Sequence, residues 1–215
     1  MVYPAAAQQR AGVALILAPG AGAGQTSDFM VAYATGMAAR GIDTVTFDFL
    51  YREEGRRLPD PNDRLEACWR AVIAAIRQHQ AIGSGALAIG GKSMGGRIAS
   101  QVAAAGIGDL AGLVFLGYPL HPPGRPDRLR ARHLLDITAP MLFVQGSRDA
   151  FGTPDELRSI ITQLDAKAEL YVVEGGDHSF KVPKRSGVSP EDIGRTIQDH
   201  VSEWLKRVAA VRTKR

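Results

Sequence analysis

What this chain lacks narrows its class first. It has one cysteine, Cys68, in 215 residues, so no intrachain disulfide can form and stability must come from a buried core. A single core at this length buries roughly 70% of the unfolded chain's surface, which needs no disulfide or metal staple. Cys68 itself lies in a helical pattern with Leu65, Trp69, Val72, Ile73 and Ile76, and reads as a small packing residue. Long hydrophobic runs are missing too. Val13–Ala18, the longest near the amino terminus, is too short to cross a bilayer or to form the apolar stretch of a signal peptide. A cytoplasmic protein with no membrane partner is the expectation. No pair of histidines or acids has metal-ligand spacing, so neither a metal nor another cofactor is expected.

Charge of either sign is only slightly unbalanced, 26 Lys and Arg against 22 Asp and Glu, for a net +4. The excess gathers at Arg125, Arg128, Arg130 and Arg132 and in the last nine residues, which hold four cations and no acid. Such a tail is a solvated helix end that complements the helix dipole. Aromatics amount to 7% and form no stacking platform beside these cations, so no nucleic-acid partner is expected.

What is present is an alternation of short apolar runs with longer helical patterns, the mark of a parallel sheet covered by helices. The runs are Val13–Ala18, 44–49, 86–90, Gly112–Leu116, 141–145 and 169–173, mostly unbroken, as strands buried on both faces should be. Helices are predicted near 27–40, 61–79, 94–105, 154–164 and 190–208. Asp60-Pro61, Thr153-Pro154 and Ser189-Pro190 each offer a capping side chain before a helix-starting proline, and Glu156 completes a capping box with Thr153. The stretch 118–136 is one long connection without periodicity, the kind of loop that often binds ligands.

Chemistry concentrates at Gly91-Lys92-Ser93-Met94-Gly95, a G-x-S-x-G between an apolar strand and a helix. A turn that sharp forces the serine into a positive φ and exposes its Oγ, while the flanking glycines let two backbones cross. Asp149 follows the run at 141–145, and His178 follows the run at 169–173, so all three residues fall at one edge of the predicted sheet. The order serine, acid, histidine is the one that a strand–serine–helix elbow requires. Histidine can take the serine proton, and a buried carboxylate can orient the ring. Asp149 is preferred over Asp177, which adjoins His178 in the chain and has poor geometry for its ring. Met94 N–H, next to the serine, is the first candidate for binding an oxyanion. The loop Ala18-Pro19-Gly20-Ala21-Gly22-Ala23-Gly24 supplies the second, with Ala21 N–H favoured and Gly22 N–H next.

Nucleotide readings fail on spacing. The third glycine of G-x-G-x-x-G falls on Gln25, and a phosphate loop ending at Lys92-Ser93 would need a glycine at Ala86. Lys92, Tyr118 and His121 are possible substrate contacts. Lys92 would draw an anionic substrate, aided by the arginines of 118–136, with rates that fall as salt rises. His133, among those arginines, is expected to be solvated, and His79 and His200 read as ordinary helix-surface residues.

The chain resembles the small, uncapped bacterial α/β hydrolases related to dienelactone-hydrolase-like proteins. It is especially similar to the family that includes the hydrolase-like subunit of the animal NSL chromatin complex. The stretches that carry the resemblance begin at Pro19, Gly90, Gly117, Gly146 and Gly175, and together they cover most of residues 13–206. The resemblance implies an α/β-hydrolase fold with a Ser–Asp–His centre. Two departures stand out. Pro19 occupies the place of a histidine in many relatives, and the nucleophile is serine, whereas dienelactone hydrolases use cysteine.

The expectation is one domain over 1–215 with loose ends at 1–12 and 209–215. It holds a mainly parallel sheet of about six strands between helical layers, without the amino-terminal antiparallel strands of larger relatives and without a cap domain. The site should be open, rimmed by 19–26, 49–60 and 118–136. The expected activity is hydrolysis of a small ester or thioester through an acyl-Ser93 intermediate. The alternative is a catalytically silent interaction protein.

Overall fold

The computed structural model describes residues 1–79, 82, 85–164 and 168–212. Its strands are β1 (Val2–Tyr3), β2 (Val13–Ala18), β3 (Asp43–Thr46), β4 (Ala86–Lys92), β5 (Gly112–Leu116), β6 (Met141–Gly146) and β7 (Ala168–Val173). They form one sheet in the order β1-β3-β2-β4-β5-β6-β7. Every pairing is parallel except that of β1 with β3. The helices are α1 (Asp28–Ala38), α2 (Leu50–Glu53), α3 (Asn62–Gln78), α4 (Met94–Ala104), α5 (Pro154–Ile161) and α6 (Pro190–Arg212).

Period-two alternation divides each central strand between two cores. In β2, Ala14, Ile16 and Ala18 join a cluster with Trp69 of α3, Ile98 of α4 and Leu157 of α5. Val13, Leu15 and Leu17 join the opposite cluster with Met37 of α1 and Trp204 of α6. All six β2 residues are buried, which is why the strand reads as an unbroken apolar run. Burying each leucine or isoleucine there contributes roughly 2 kcal/mol.

Two expectations are corrected. The amino-terminal antiparallel strand, expected to be absent, is present as one edge of the seven-stranded sheet. It is only two residues long, too short to show a period, and is held by register to Thr44 and Val45 and by Ala5 N–H donating to Asp43 Oδ1 at 2.9 Å. Asp60 does not cap α3, whose N-cap is Pro61 without a side-chain bond. Its carboxylate instead accepts from Arg56 at 2.8 Å and Arg64 at 3.2 Å. The capping box at Thr153 and Glu156 forms as predicted. At the other end α6 runs to Arg212, and Thr213, Lys214 and Arg215 lie outside the described residues. Among the described residues no helix is long and apolar enough to cross a membrane.

The strand order fixes where a ligand can sit. From β2 the chain goes through α1 to β3 on one side, then returns through α3 to β4 on the other. The loops leaving β2 and β4 therefore diverge and open a crevice at the carboxyl edge of the sheet.

Candidate active site

Glycine-rich segments, the loop after β2 and the turn around Ser93, supply part of that crevice. Ser93 joins β4 to α4 with φ 50° and ψ −117°, a strained backbone held by Ser93 N–H donating to Leu116 O at 3.1 Å. The turn closes only because its neighbours lack side chains. A Cβ on Gly91 would lie 2.6 Å from Ala18 O, and one on Gly95 would lie 2.5 Å from both Ala18 O and Pro19 O. The elbow thus packs directly on the end of β2, which brings the loop 19–24 beside the serine.

His178 and Asp149 reach the same point from the ends of β7 and β6. Ser93 Oγ lies 2.8 Å from His178 Nε2, and His178 Nδ1 lies 2.7 Å from Asp149 Oδ2. A carboxylate only accepts, so Nδ1 carries the ring proton and Nε2 of the neutral ring is left to accept from the serine hydroxyl. Asp149 is 1% exposed. Its Oδ1 accepts from Phe151 N–H at 2.8 Å, and its Oδ2 also accepts from Gln145 Nε2 at 2.8 Å. Asp177 does not touch the ring. Its carboxylate accepts from the backbone N–H groups of Ser179 and Lys181 and so shapes the loop that presents His178.

Three residues that hold this arrangement had no signal in the sequence. Gln145, fully buried in β6, donates to Gly152 O as well as Asp149, and accepts from Tyr118 N–H at 2.8 Å. Phe151 lies against the His178 ring, with centroids 4.2 Å apart. Phe180, at φ 63°, lies beneath the Lys92 ammonium, 5.3 Å from Nζ to the ring centre.

Ser93, His178 and Met94 line an open cleft of about 750 Å³. Its rim comes from the 19–26 loop, from Pro59 and Asp60, and from Pro119, Arg130 and Phe151. Phe29, Met30 and Leu65 form apolar wall, while Arg97, Arg130 and Lys181 bring positive charge. Met94 N–H is the first of α4 and has no intrahelical acceptor. Ala21 is exposed on the cleft wall, in a turn closed by Ala23 N–H donating to Gly20 O at 3.2 Å. Gly22 does not share this availability, because its N–H donates to Tyr51 Oη at 3.0 Å.

The expected substrate contacts separate. Lys92 borders the cleft, but its Nζ donates to His178 O, so the ammonium supports the histidine loop from below. Burial pushes that ammonium down to about 8, against the opposing pull of Asp149 and Asp177. Tyr118 and His121 stand behind the wall. Tyr118 is buried, with its hydroxyl donating to Arg130 O at 2.9 Å. His121 is buried with Nδ1 2.8 Å from Pro122 O, and its Nε2 lies 3.2 Å from Glu156 Oε1 without an aligned hydrogen bond. His133 is not solvated. It is half-buried, 2.7 Å from Ser100 Oγ, and burial holds its pKa below the usual histidine value.

A mostly parallel sheet flanked by helices, with a strained serine at the switch-point crevice, defines the α/β-hydrolase fold. The chain belongs to the alpha/beta hydrolase domain family, whose model matches residues 11–206. It is similar in structure to a dienelactone hydrolase from Anabaena variabilis, with TM-score 0.74 and 20% identity over 96% of this chain and 89% of that one. A serine hydrolase without a lid from Xanthomonas campestris matches with TM-score 0.71 and 20% identity, over 94% and 87% of the two chains. An alpha-beta serine hydrolase homologue from Coxiella burnetii matches with TM-score 0.70 and 20% identity, over 96% and 89%. At such identities the likeness is one of fold.

Proposed function

We propose that this protein is a serine hydrolase that cleaves a small carboxylic ester or thioester through an acyl-Ser93 intermediate. The observation that carries this reading is the unbroken hydrogen-bonded line from Ser93 Oγ through His178 to the buried Asp149 carboxylate. Ser93 Oγ attacks the carbonyl carbon as its proton passes to His178 Nε2, and the imidazolium returns that proton to the departing alkoxide or thiolate. Water, deprotonated by the same nitrogen, then cleaves the acyl-enzyme and restores the serine. Asp149 holds the ring tautomer and offsets the charge that forms on it. Met94 N–H and Ala21 N–H are the donors assigned to the tetrahedral oxyanion.

A fluorophosphonate probe should label Ser93, and Ser93→Ala should abolish labelling while leaving the fold intact. A panel of p-nitrophenyl esters and acyl thioesters of graded chain length would then rank acyl groups. Folded protein that takes up no probe would overturn the reading and favour a silent hydrolase-fold scaffold, the role that kinship with the NSL subunit family would suggest. Of the cations in the basic tail, Arg207 pairs with Glu169 at 2.7 Å.

A further inference from the structure

Four cations line the cleft, Lys92, Arg97, Arg130 and Lys181, and two of them, Arg97 and Arg130, also share an adjoining polar hollow that holds no acid. Arg97 lies one turn along α4 from the serine, its N–H donating to Ser93 O at 3.1 Å, so it starts about 6 Å further along the helix axis. Arg130 projects from the loop between β5 and β6. Both line the cleft that holds Ser93 and His178, and both line a polar hollow adjoining it together with His133. Among the described residues neither forms an ion pair. Arg97 reaches only neutral oxygens, Gln101 Oε1 at 3.3 Å and Asn62 Oδ1 at 3.4 Å.

Three of the nearby acids have other cationic partners, and of these Glu66 also attracts Arg97 at longer range. Asp60 accepts from Arg56 and Arg64, Glu66 lies 3.7 Å from Arg70, and Asp127 pairs with Arg125 at 2.9 Å. A half-buried guanidinium facing a like charge is costly unless an anion joins it. The backbone beneath the pair is nonetheless rigidly built. Buried Ser100 donates to Arg97 O at 2.6 Å, buried Tyr118 donates to Arg130 O at 2.9 Å, and the Ser100 hydroxyl also meets His133.

We propose that Arg97 and Arg130 form an anion subsite, so that the ester cleaved at Ser93 carries a carboxylate remote from its scissile bond. The inference rests on the hydrolase reading and adds the substrate class to it. The charge role expected of Lys92 passes to these arginines, because the Lys92 ammonium is held beneath His178. Planar guanidinium forks match a carboxylate edge-on, which makes the pairing selective as well as attractive.

The test compares two esters with the same six-carbon acyl chain, mono-p-nitrophenyl adipate and p-nitrophenyl hexanoate. Wild type should turn over the anionic ester with kcat/KM higher by about tenfold or more at low salt, a preference that narrows as salt rises. The R97Q/R130Q double variant should lose that preference, and R97K/R130K should keep part of it. Thermal melts check that each variant is folded. Equal turnover of the two esters by wild type, or a preference that survives R97Q/R130Q, overturns the subsite while the hydrolase reading stands.

A second measurement separates the two claims. In Ser93→Ala, which cannot turn over, calorimetry should detect monomethyl adipate but not dimethyl adipate, and adding R97Q/R130Q should abolish the signal. That result with a wild type inert toward both esters would keep the anion subsite and remove the hydrolase reading. An inert wild type with no arginine-dependent binding would remove both.

Discussion

The carboxylate of Asp149 has no route to solvent, so its effect on His178 depends on the groups that hold it. Asp149→Asn preserves the shape but replaces an acceptor with a group that can also donate, favouring the wrong ring tautomer. Turnover should fall by roughly three orders of magnitude or more, with stability little changed, as single-turnover kinetics and a urea melt would report. Gln145→Leu acts one residue further out. It leaves Tyr118 N–H and Gly152 O without their buried partner, so it should cost about 3 kcal/mol in urea unfolding and also lower kcat. Lys92 exacts a cost of its own. Its ammonium titrates near 8 in the fold, against an ordinary lysine value of about 10.4 in the unfolded chain. Between those values the unfolded chain binds more protons, so stability rises with pH across that window. Lys92→Met lacks the titration. Relative to it, wild type should gain about 2 kcal/mol between pH 7 and pH 10, and an identical pH dependence for both proteins would count against a buried ammonium. The same variant should show reduced kcat, because His178 O loses its donor.

At the scale of elements, the elbow and the cap make opposite predictions. Gly95→Ala would press a methyl group onto Ala18 O and Pro19 O, both backbone atoms that cannot rotate away. It should destabilise the protein by about 3 kcal/mol or more and abolish fluorophosphonate labelling even where some fold survives. Thr153→Ala removes both hydroxyl bonds of an exposed capping box and should cost about 1 kcal/mol with unchanged turnover, measured by a thermal melt and ester kinetics. What the sequence discloses follows the same division. β2 and β5 are legible to the residue because both faces of each are covered, leaving no polar interruption. The elbow is legible because its glycines are demanded by backbone crossing. β1 and α2, at two and four residues, are shorter than any period that could announce them. Asp60 misleads because Arg56 and Arg64, four residues to either side, take up the carboxylate that a cap would use. Arg130 is legible as one of a run of loop arginines, but Gln145, Phe151 and the approach of Arg97 to Arg130 are not, because they depend on segments that follow different strands meeting at one sheet edge, which no local pattern encodes.

On the scale of the whole molecule, the site is assembled from the ends of β4, β6 and β7 and the loop after β2, so it exists only while the sheet does. The sheet in turn is stabilised from both sides, and the two tryptophans of the chain divide between them. Trp69 of α3 is fully buried in one layer, while Trp204 of α6 is 1% exposed in the other and donates from Nε1 to Glu169 Oε1 at 3.0 Å. Because every central strand contributes alternate side chains to both clusters, neither layer can melt while the other keeps its packing partners. Each single-tryptophan variant, Trp69→Phe or Trp204→Phe, therefore reports on one layer, and within either variant the fluorescence and the helical signal should share one urea midpoint. Fluorophosphonate reactivity, sampled along the same titration, should vanish at that midpoint too, since an elbow held at positive φ by Leu116 and Ala18 has no structure of its own. Fluorescence from the α6 layer that changes well before the helical signal would instead mean that this layer detaches from an intact sheet, and reactivity lost with it would place His178, at the end of β7, among the first parts of the site to go.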